Sequence, residues 1–270
     1  MTSPQTKNNP TNQTKRLSVQ VTLTGLSFLI ASREGEVLFF SEVHFETSHT
    51  PEELLYQLTD QFAKQPELNE SFDGVNLIYT THNYSLVPQS LFDESKASEY
   101  LKFNTKILGN DFISFDEIDA QQAVVVYVPF VNINNFMFEK FGSFSYFHSS
   151  TLLIQNLLNA EKHSETSKVY LHILEEQFEC IISEQGQLQL CNSYSFKTPE
   201  DFIYYVLFCF EQLDLNPDSV ETVVCGNITL ESELYEILYT YVRNVSFLDW
   251  NRRQLAQEAS HQHVLLKSVL

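Results

Sequence analysis

One helix-opening signature occurs twice in this chain. Thr50-Pro51-Glu52-Glu53 opens one apolar-periodic segment, and Thr198-Pro199-Glu200-Asp201 opens another 148 residues further on. In each, Thr stands at the N-cap, Pro at the first helical position and an acid at the third, facing the Thr hydroxyl. The residues before each signature also match. Val19, Val21 and Leu23 alternate with polar residues, as do Val169, Leu171 and Ile173. A second strand follows in each half, ending near Ile30 in one and running through Phe178, Cys180 and Ile182 in the other. Hairpin turns at Ser32-Arg33-Glu34-Gly35 and Glu184-Gln185-Gly186 lead to third strands, through Val37, Phe39 and Val43 and through Leu188 and Leu190. The first helix carries a stripe of Leu54, Leu55, Leu58 and Phe62. The second repeats it at the same offset with Phe202, Ile203, Val206 and Phe210. Strands from Gly74 and Val220 come next. The second half then continues with a helix at 230–242 and a strand at 245–248. Two hairpins, a capped helix and a strand in one order imply an internal duplication.

Four segments are expected: a disordered tail at 1–16, a first half at 17–162, a second half at 163–250, and a C-terminal tail or helix at 251–270. Elements without a counterpart are expected between the halves. These are mostly helix at 88–108, a continuous apolar strand at Ala123–Phe130, a helix at Asn132–Phe141, a strand at Phe144–Phe147 and a helix at Thr151–Ala160. A strand apolar at every position is one covered on both faces. Strands alternating with helices after an antiparallel start imply a mixed α/β sheet in each half.

Charge narrows the function classes. The chain has 35 acidic and 16 basic residues, for a net charge of −19. Nucleic acid and anionic lipid are bound chiefly through Lys and Arg, so such a surface is expected to repel both. Cys180, Cys191, Cys209 and Cys225 form no CxxC pair and sit in apolar stretches. Buried reduced thiols and a cytoplasmic location are expected. No apolar run approaches the roughly 18 residues of a membrane span, and no signal peptide is read.

Three antiparallel strands, a helix and parallel strands with crossover helices, given twice, resemble the actin-like fold. The strands and helices at 122–175 are similar to the middle of the actin-like proteins of type IV pilus assembly and cell division. The chain as a whole resembles an uncharacterised bacterial domain-of-unknown-function family of that superfamily, which shares a ribonuclease H-like core. The resemblance implies a duplicated actin-like ATPase fold, with a cleft between the halves as the nucleotide site. By analogy with the pilus relative, it also implies docking to a membrane-anchored protein partner.

The loops such a site needs are degenerate here. An actin-like ATPase cradles its phosphates with backbone N–H groups at two glycine-containing turns, and holds the Mg²⁺ shell with a first-strand Asp. The first turn reads Thr22-Leu23-Thr24-Gly25, with one glycine and no acid. The second reads Leu174-Glu175-Glu176-Gln177, with no glycine and two carboxylates where a polyanion would lie. The adenosine loop would be Val224-Cys225-Gly226-Asn227. The chain has seven glycines in 270 residues, well below an ordinary usage of about 7%. ATP and Mg²⁺ are therefore not expected as cofactors. If a vestigial nucleotide cleft survives, its residues are Thr24, Gly25, Glu175, Gly226 and Asn227, with Glu175 or Glu176 on a metal shell and Thr24 donating to phosphate. Side chains blocking the cleft would remove that reading.

Other constellations are weaker. The carboxylates a ribonuclease H-type nuclease needs are missing from the first strand. Asp111, Asp116, Glu117 and Asp119 read as a solvated acidic loop. His261 and His263, two apart, do not share a helix face and make a poor zinc pair. Phe138 points away from the stripe of Ile133, Phe136, Met137 and Phe141, so it either packs on a neighbouring helix or anchors a partner. The helix after Thr198 is apolar all round, with Tyr204, Tyr205, Leu207 and Phe208 off its stripe, and is expected to be buried between layers. The chain is read as a non-catalytic actin-like module, a cytoplasmic interaction or scaffold protein with an unknown protein partner. A homodimer stays open, and a divergent nucleotide-binding protein is the alternative.

Overall fold

The computed structural model describes residues 14–105, 107, 111–249 and 261–269. Strands β1 (Lys15–Thr22), β2 (Gly25–Ser32) and β3 (Val37–His44) form an antiparallel meander. It leads into α1 (Pro51–Lys64) and β4 (Gly74–Thr80). An inserted unit follows: β5 (Tyr84–Pro88), α2 (Ala97–Leu101), β6 (Ser114–Ile118) and β7 (Ala123–Tyr127). The first half closes with α3 (Val131–Phe141), β8 (Ser145–His148) and α4 (Ser149–Ala160). The second half comprises β9 (Ser167–Ile173), β10 (Gln177–Glu184), β11 (Gln187–Ser195), α5 (Pro199–Gln212), β12 (Glu221–Gly226), α6 (Glu233–Tyr241) and β13 (Val245–Phe247). Helix α7 (Val264–Ser268) comes last.

The two large sheets have one topology. Their orders are β3-β2-β1-β4-β8 and β11-β10-β9-β12-β13, antiparallel through the meander and parallel beyond it. Both Thr-Pro segments form the expected capping boxes. Thr50 and Thr198 each accept from the backbone N–H of the third helical residue, whose carboxylate accepts from the cap N–H. Leu54, Leu58 and Phe62 are buried from α1, and Phe202, Ile203, Val206 and Phe210 from α5.

The strand at 123–127 is buried at every residue because it is the middle of a third sheet, β5-β7-β6. Val125 and Tyr127 face the main core, while Val124 and Val126 face a small core with Val87 and Leu101.

Several expectations are corrected. Among the described residues of 88–108 the helix comes in short pieces rather than one run: 3₁₀ turns at Gln89–Leu91 and Glu94–Lys96, then α2. Asp93 accepts from the backbone and hydroxyl of Ser95, and the Tyr100 hydroxyl donates to Leu91 O. These side chains satisfy the backbone locally, in competition with a longer helix. Helix α3 and strand β8 do have counterparts: β8 holds the sheet position that β13 holds in the second half, and α3 packs on α1 as α6 packs on α5. Lys15 and Arg16, expected in the disordered tail, pair with Ser32 and Ala31 in β1. Apart from them and Thr14, that tail lies outside the described residues. Asp116 belongs to β6 rather than to a solvated loop. It accepts from the Tyr127 hydroxyl (3.1 Å), the His148 N–H (2.8 Å) and the Thr151 hydroxyl (2.8 Å), capping the start of α4. Burial raises its pKa against those hydrogen bonds. Glu117 and Asp119 are exposed, as expected. Finally, α5 is not covered on all sides, because Tyr204 is 63% exposed and Phe208 40%.

All four cysteines are free and buried. Among the described residues, no helix is long and apolar enough to cross a membrane.

Candidate functional site

The five cleft residues named from the sequence, Thr24, Gly25, Glu175, Gly226 and Asn227, line one cavity between the halves. Each turn is held by its own local bonding. At the β1–β2 turn, Thr24 N–H donates to Thr22 Oγ1 (3.2 Å), and that hydroxyl donates to Gly25 O (3.1 Å). A Cβ on Gly25 would stand 2.7 Å from Val43 O, so this glycine lets β2 lie against β3. At the β9–β10 turn, Leu174 N–H donates to Gln177 O, leaving Glu175 and Glu176 exposed at the tip.

Gly226 is tighter still. It has φ +88°, and a Cβ there would lie 2.1 Å from Ile173 O. Only glycine fits that backbone. Asn227 N–H donates to Ile173 O (2.7 Å), and Gly226 N–H donates to His261 O (2.9 Å). The backbone N–H groups of Thr24, Gly226 and Asn227 therefore all have partners within the chain.

A C-terminal tail or helix was expected at 251–270, and α7 lies there, but its place between the halves was not expected. Segment 261–269 lies between the halves and touches both. His261 donates from Nε2 to Ile228 O (2.8 Å), and its ring packs on Phe247. His263 packs on Phe40 and approaches Glu42 (3.7 Å), and Asn76 Nδ2 donates to Val269 O (3.1 Å). Val264, Leu265 and Leu266 are buried, joining the core of the first half. The cavity that remains beside this segment is about 50 Å³. A small-molecule site ordinarily takes about 300–1,000 Å³. In sequence, the segment is marked by His261, His263 and a short apolar run, none of which points to the cleft.

Around the cavity, Glu42, His44 and Glu175 form a chain. His44 lies 3.4 Å from Glu42 and 3.9 Å from Glu175. Burial pushes the His263 pKa down to about 4, overriding the attraction of Glu42. Lys267, buried in the same segment, also lowers His263, so the charges near the cavity are of both signs. Among the described residues, no cluster of His, Cys, Asp or Glu could hold a metal ion.

Beneath the cleft a buried polar network joins the halves. Glu179 of β10 accepts from the hydroxyls of Ser149 and Ser150 at the start of α4, and from His172 Nδ1 (3.1 Å). Burial would raise the pKa of Glu179, but His172, His148 and Ser150 together hold it below the ordinary value. His148 donates from Nε2 to Thr81 O and accepts at Nδ1 from Ser150 N–H. Burial pushes its pKa down to about 4.

A second hollow of about 670 Å³ opens beside the turns, lined by Thr22, Thr24, Thr80, Thr81, His82, Glu175, Ser195 and Lys197 among others. Phe138, on α3, stands away from these cavities and is 65% exposed, while Ile133 and Met137 of the same helix are buried.

A family model described as "Protein of unknown function (DUF3822)" matches residues 4–245. The chain belongs to this family. No curated protein is matched. Among solved structures, this DUF3822 chain is similar to a Bacteroides thetaiotaomicron protein with an actin-like ATPase fold and unknown function, at 20% identity over 98% of each chain and a TM-score of 0.82. It is also similar to a structure of the PilM–PilN type IV pilus biogenesis complex, at 9% identity over 93% of this chain and 96% of that one, with a TM-score of 0.60. A third is the ethanolamine utilization protein EutJ from Carboxydothermus hydrogenoformans, at 8% identity over 96% and 90%, with a TM-score of 0.52. The fold of this DUF3822 protein is thus actin-like, with two mixed-sheet halves.

Proposed function

We propose that this protein is a non-catalytic actin-like interaction module of the cytoplasm, which works through its outer surface rather than through the cleft between its halves. The observation that carries this reading is segment 261–269, seated in the cleft with His261 O on the Gly226 N–H. By the actin-like resemblance that amide would belong to a nucleoside loop, and the chain's own backbone meets it. The acidic turn at Glu175-Glu176 and the self-bonded Thr24 turn add support. So do the buried free thiols, which suit a reducing compartment. The similar PilM structure is of a complex with PilN, which makes protein docking a reasonable use of the fold. Phe138, exposed on α3, is one candidate contact.

Calorimetric titration of the full chain with Mg²⁺–ATP, alongside a phosphate-release assay, tests this reading. No saturable heat and no release are expected. A saturable heat overturns it.

The alternative, a divergent nucleotide-binding protein, is favoured by one observation. The 670 Å³ hollow is large enough for a nucleotide and has threonine hydroxyls and Lys197 on its wall. In that case the heat would be abolished by Lys197→Ala.

A further inference from the structure

Helix α5 presents an outward stripe that folding alone does not account for. Its exposed residues, Glu200, Asp201, Tyr204, Phe208, Glu211 and Gln212, recur at three- and four-residue spacing and so share one face. Two aromatic rings stand in the middle of the stripe, with acids at both ends. The matched helix α1 is an internal comparison. Tyr56 stands in the place of Tyr204 and is 72% exposed. Asp60 stands in the place of Phe208 and pairs with Lys64 at 2.6 Å, while Gln212 replaces that lysine. The same frame thus folds with an ordinary ion pair where α5 carries an exposed ring and no cation.

Charge says what would cover the stripe. Between Lys197 and Arg243 the sequence holds nine acidic residues and no Lys, Arg or His. This stretch contains both α5 and α6, which pack side by side. Helix α6 adds exposed Glu233 and Glu236, with Tyr239 and Tyr241 half exposed. Exposed aromatic faces set among carboxylates attract Lys and Arg through both charge and the ring faces. Nucleic acid and anionic membrane would be repelled.

We infer that the outer face of α5, with α6 beside it, is a docking surface for a basic amphipathic segment of a partner protein. Its Lys and Arg would meet Glu200, Asp201 and Glu211, and its apolar face would cover Tyr204 and Phe208. This inference rests on the reading of the protein as an interaction module.

The test uses the full chain and a labelled Lys/Leu peptide of about 18 residues with amphipathic helical spacing, followed by fluorescence anisotropy. A peptide of the same composition with scrambled spacing controls for attraction to net charge alone. Saturable binding is expected, weakened about tenfold by Phe208→Asp, the residue found at the matched position of α1. Tyr204→Ala should act in the same direction. Tyr56→Ala, at the matched position of α1, should change it by less than about twofold. Both α5 positions are exposed, so the variants should keep the thermal midpoint of the parent. A charge-reversed pair, Glu200→Lys with Glu211→Lys, provides a second route to the same loss. Equal binding of the scrambled peptide, or binding indifferent to every α5 variant, overturns the inference. So does an absence of binding by the parent chain. If the same preparation shows no Mg²⁺–ATP heat, such a failure touches only the α5 surface. A saturable ATP heat instead removes the interaction-module reading beneath it.

Discussion

The backbone N–H of Gly226 donates to the carbonyl of His261 at 2.9 Å. Gly226 ends β12 of the second half, and His261 is the first described residue of the C-terminal segment. Their bond ties the C-terminal segment to the turn after β12, between the two halves.

Gly226 is held at φ +88° with Ile173 O where a Cβ would stand. Gly226→Ala is expected to lower stability by roughly 2–4 kcal/mol, from backbone strain and the displaced β9 carbonyl. The urea midpoint measures this. A midpoint equal to that of the parent would mean that the turn relaxes freely.

Leu266 is fully buried in a segment touching both halves. Leu266→Ala should cost about 2–5 kcal/mol, as core leucine truncations do. Removing residues 261–270 should lower the thermal midpoint further, because apolar surface on the first half and the Gly226 amide are uncovered together. If the truncated chain melts with the parent, the segment contributes nothing to the fold.

Stability should fall on acidification. Folded His148 stays neutral down to about pH 4, whereas an exposed histidine titrates near about 6.5. Between these values the unfolded chain binds protons that the folded chain does not, so stability rises with pH across the window and flattens below it. Burial lowers His82, His261 and His263 as well, with the same sign. The depressed Glu179 acts in the same direction at lower pH: its contribution is present above the ordinary carboxylate pKa and is lost as pH falls through its folded value. Urea midpoints at about pH 7 and about pH 4.5 should differ by a few kcal/mol in free energy. His148→Asn should reduce that difference. A pH-independent midpoint would contradict it.

Much of the fold was legible because its signals are local. The two capping boxes lie within four residues each, and the hairpin strands alternate with period two. The signals that failed are those that depend on distant partners. Asp116 looked solvated because the groups it caps, Tyr127, His148 and Thr151, are 11, 32 and 35 residues away. Helix α5 looked buried because composition records apolar residues, not whether another layer covers them. Tyr204 and Phe208 are exposed on its outer side. The five cleft positions were placed by the actin-like order, and the structure gathers them around one cavity. The occupant of that cleft was not legible, since Val264-Leu265-Leu266 is too short to show a period.

Thermal unfolding of the full chain, with and without millimolar Mg²⁺–ATP, tests the central claim most directly. A ligand at 100 times its dissociation constant stabilises by about 2.7 kcal/mol, a shift of a few degrees for a chain of this length. An unchanged midpoint is predicted, because segment 261–269 lies between the halves and its backbone takes the Gly226 N–H. An upward shift of several degrees would contradict the account and return the cleft to nucleotide chemistry.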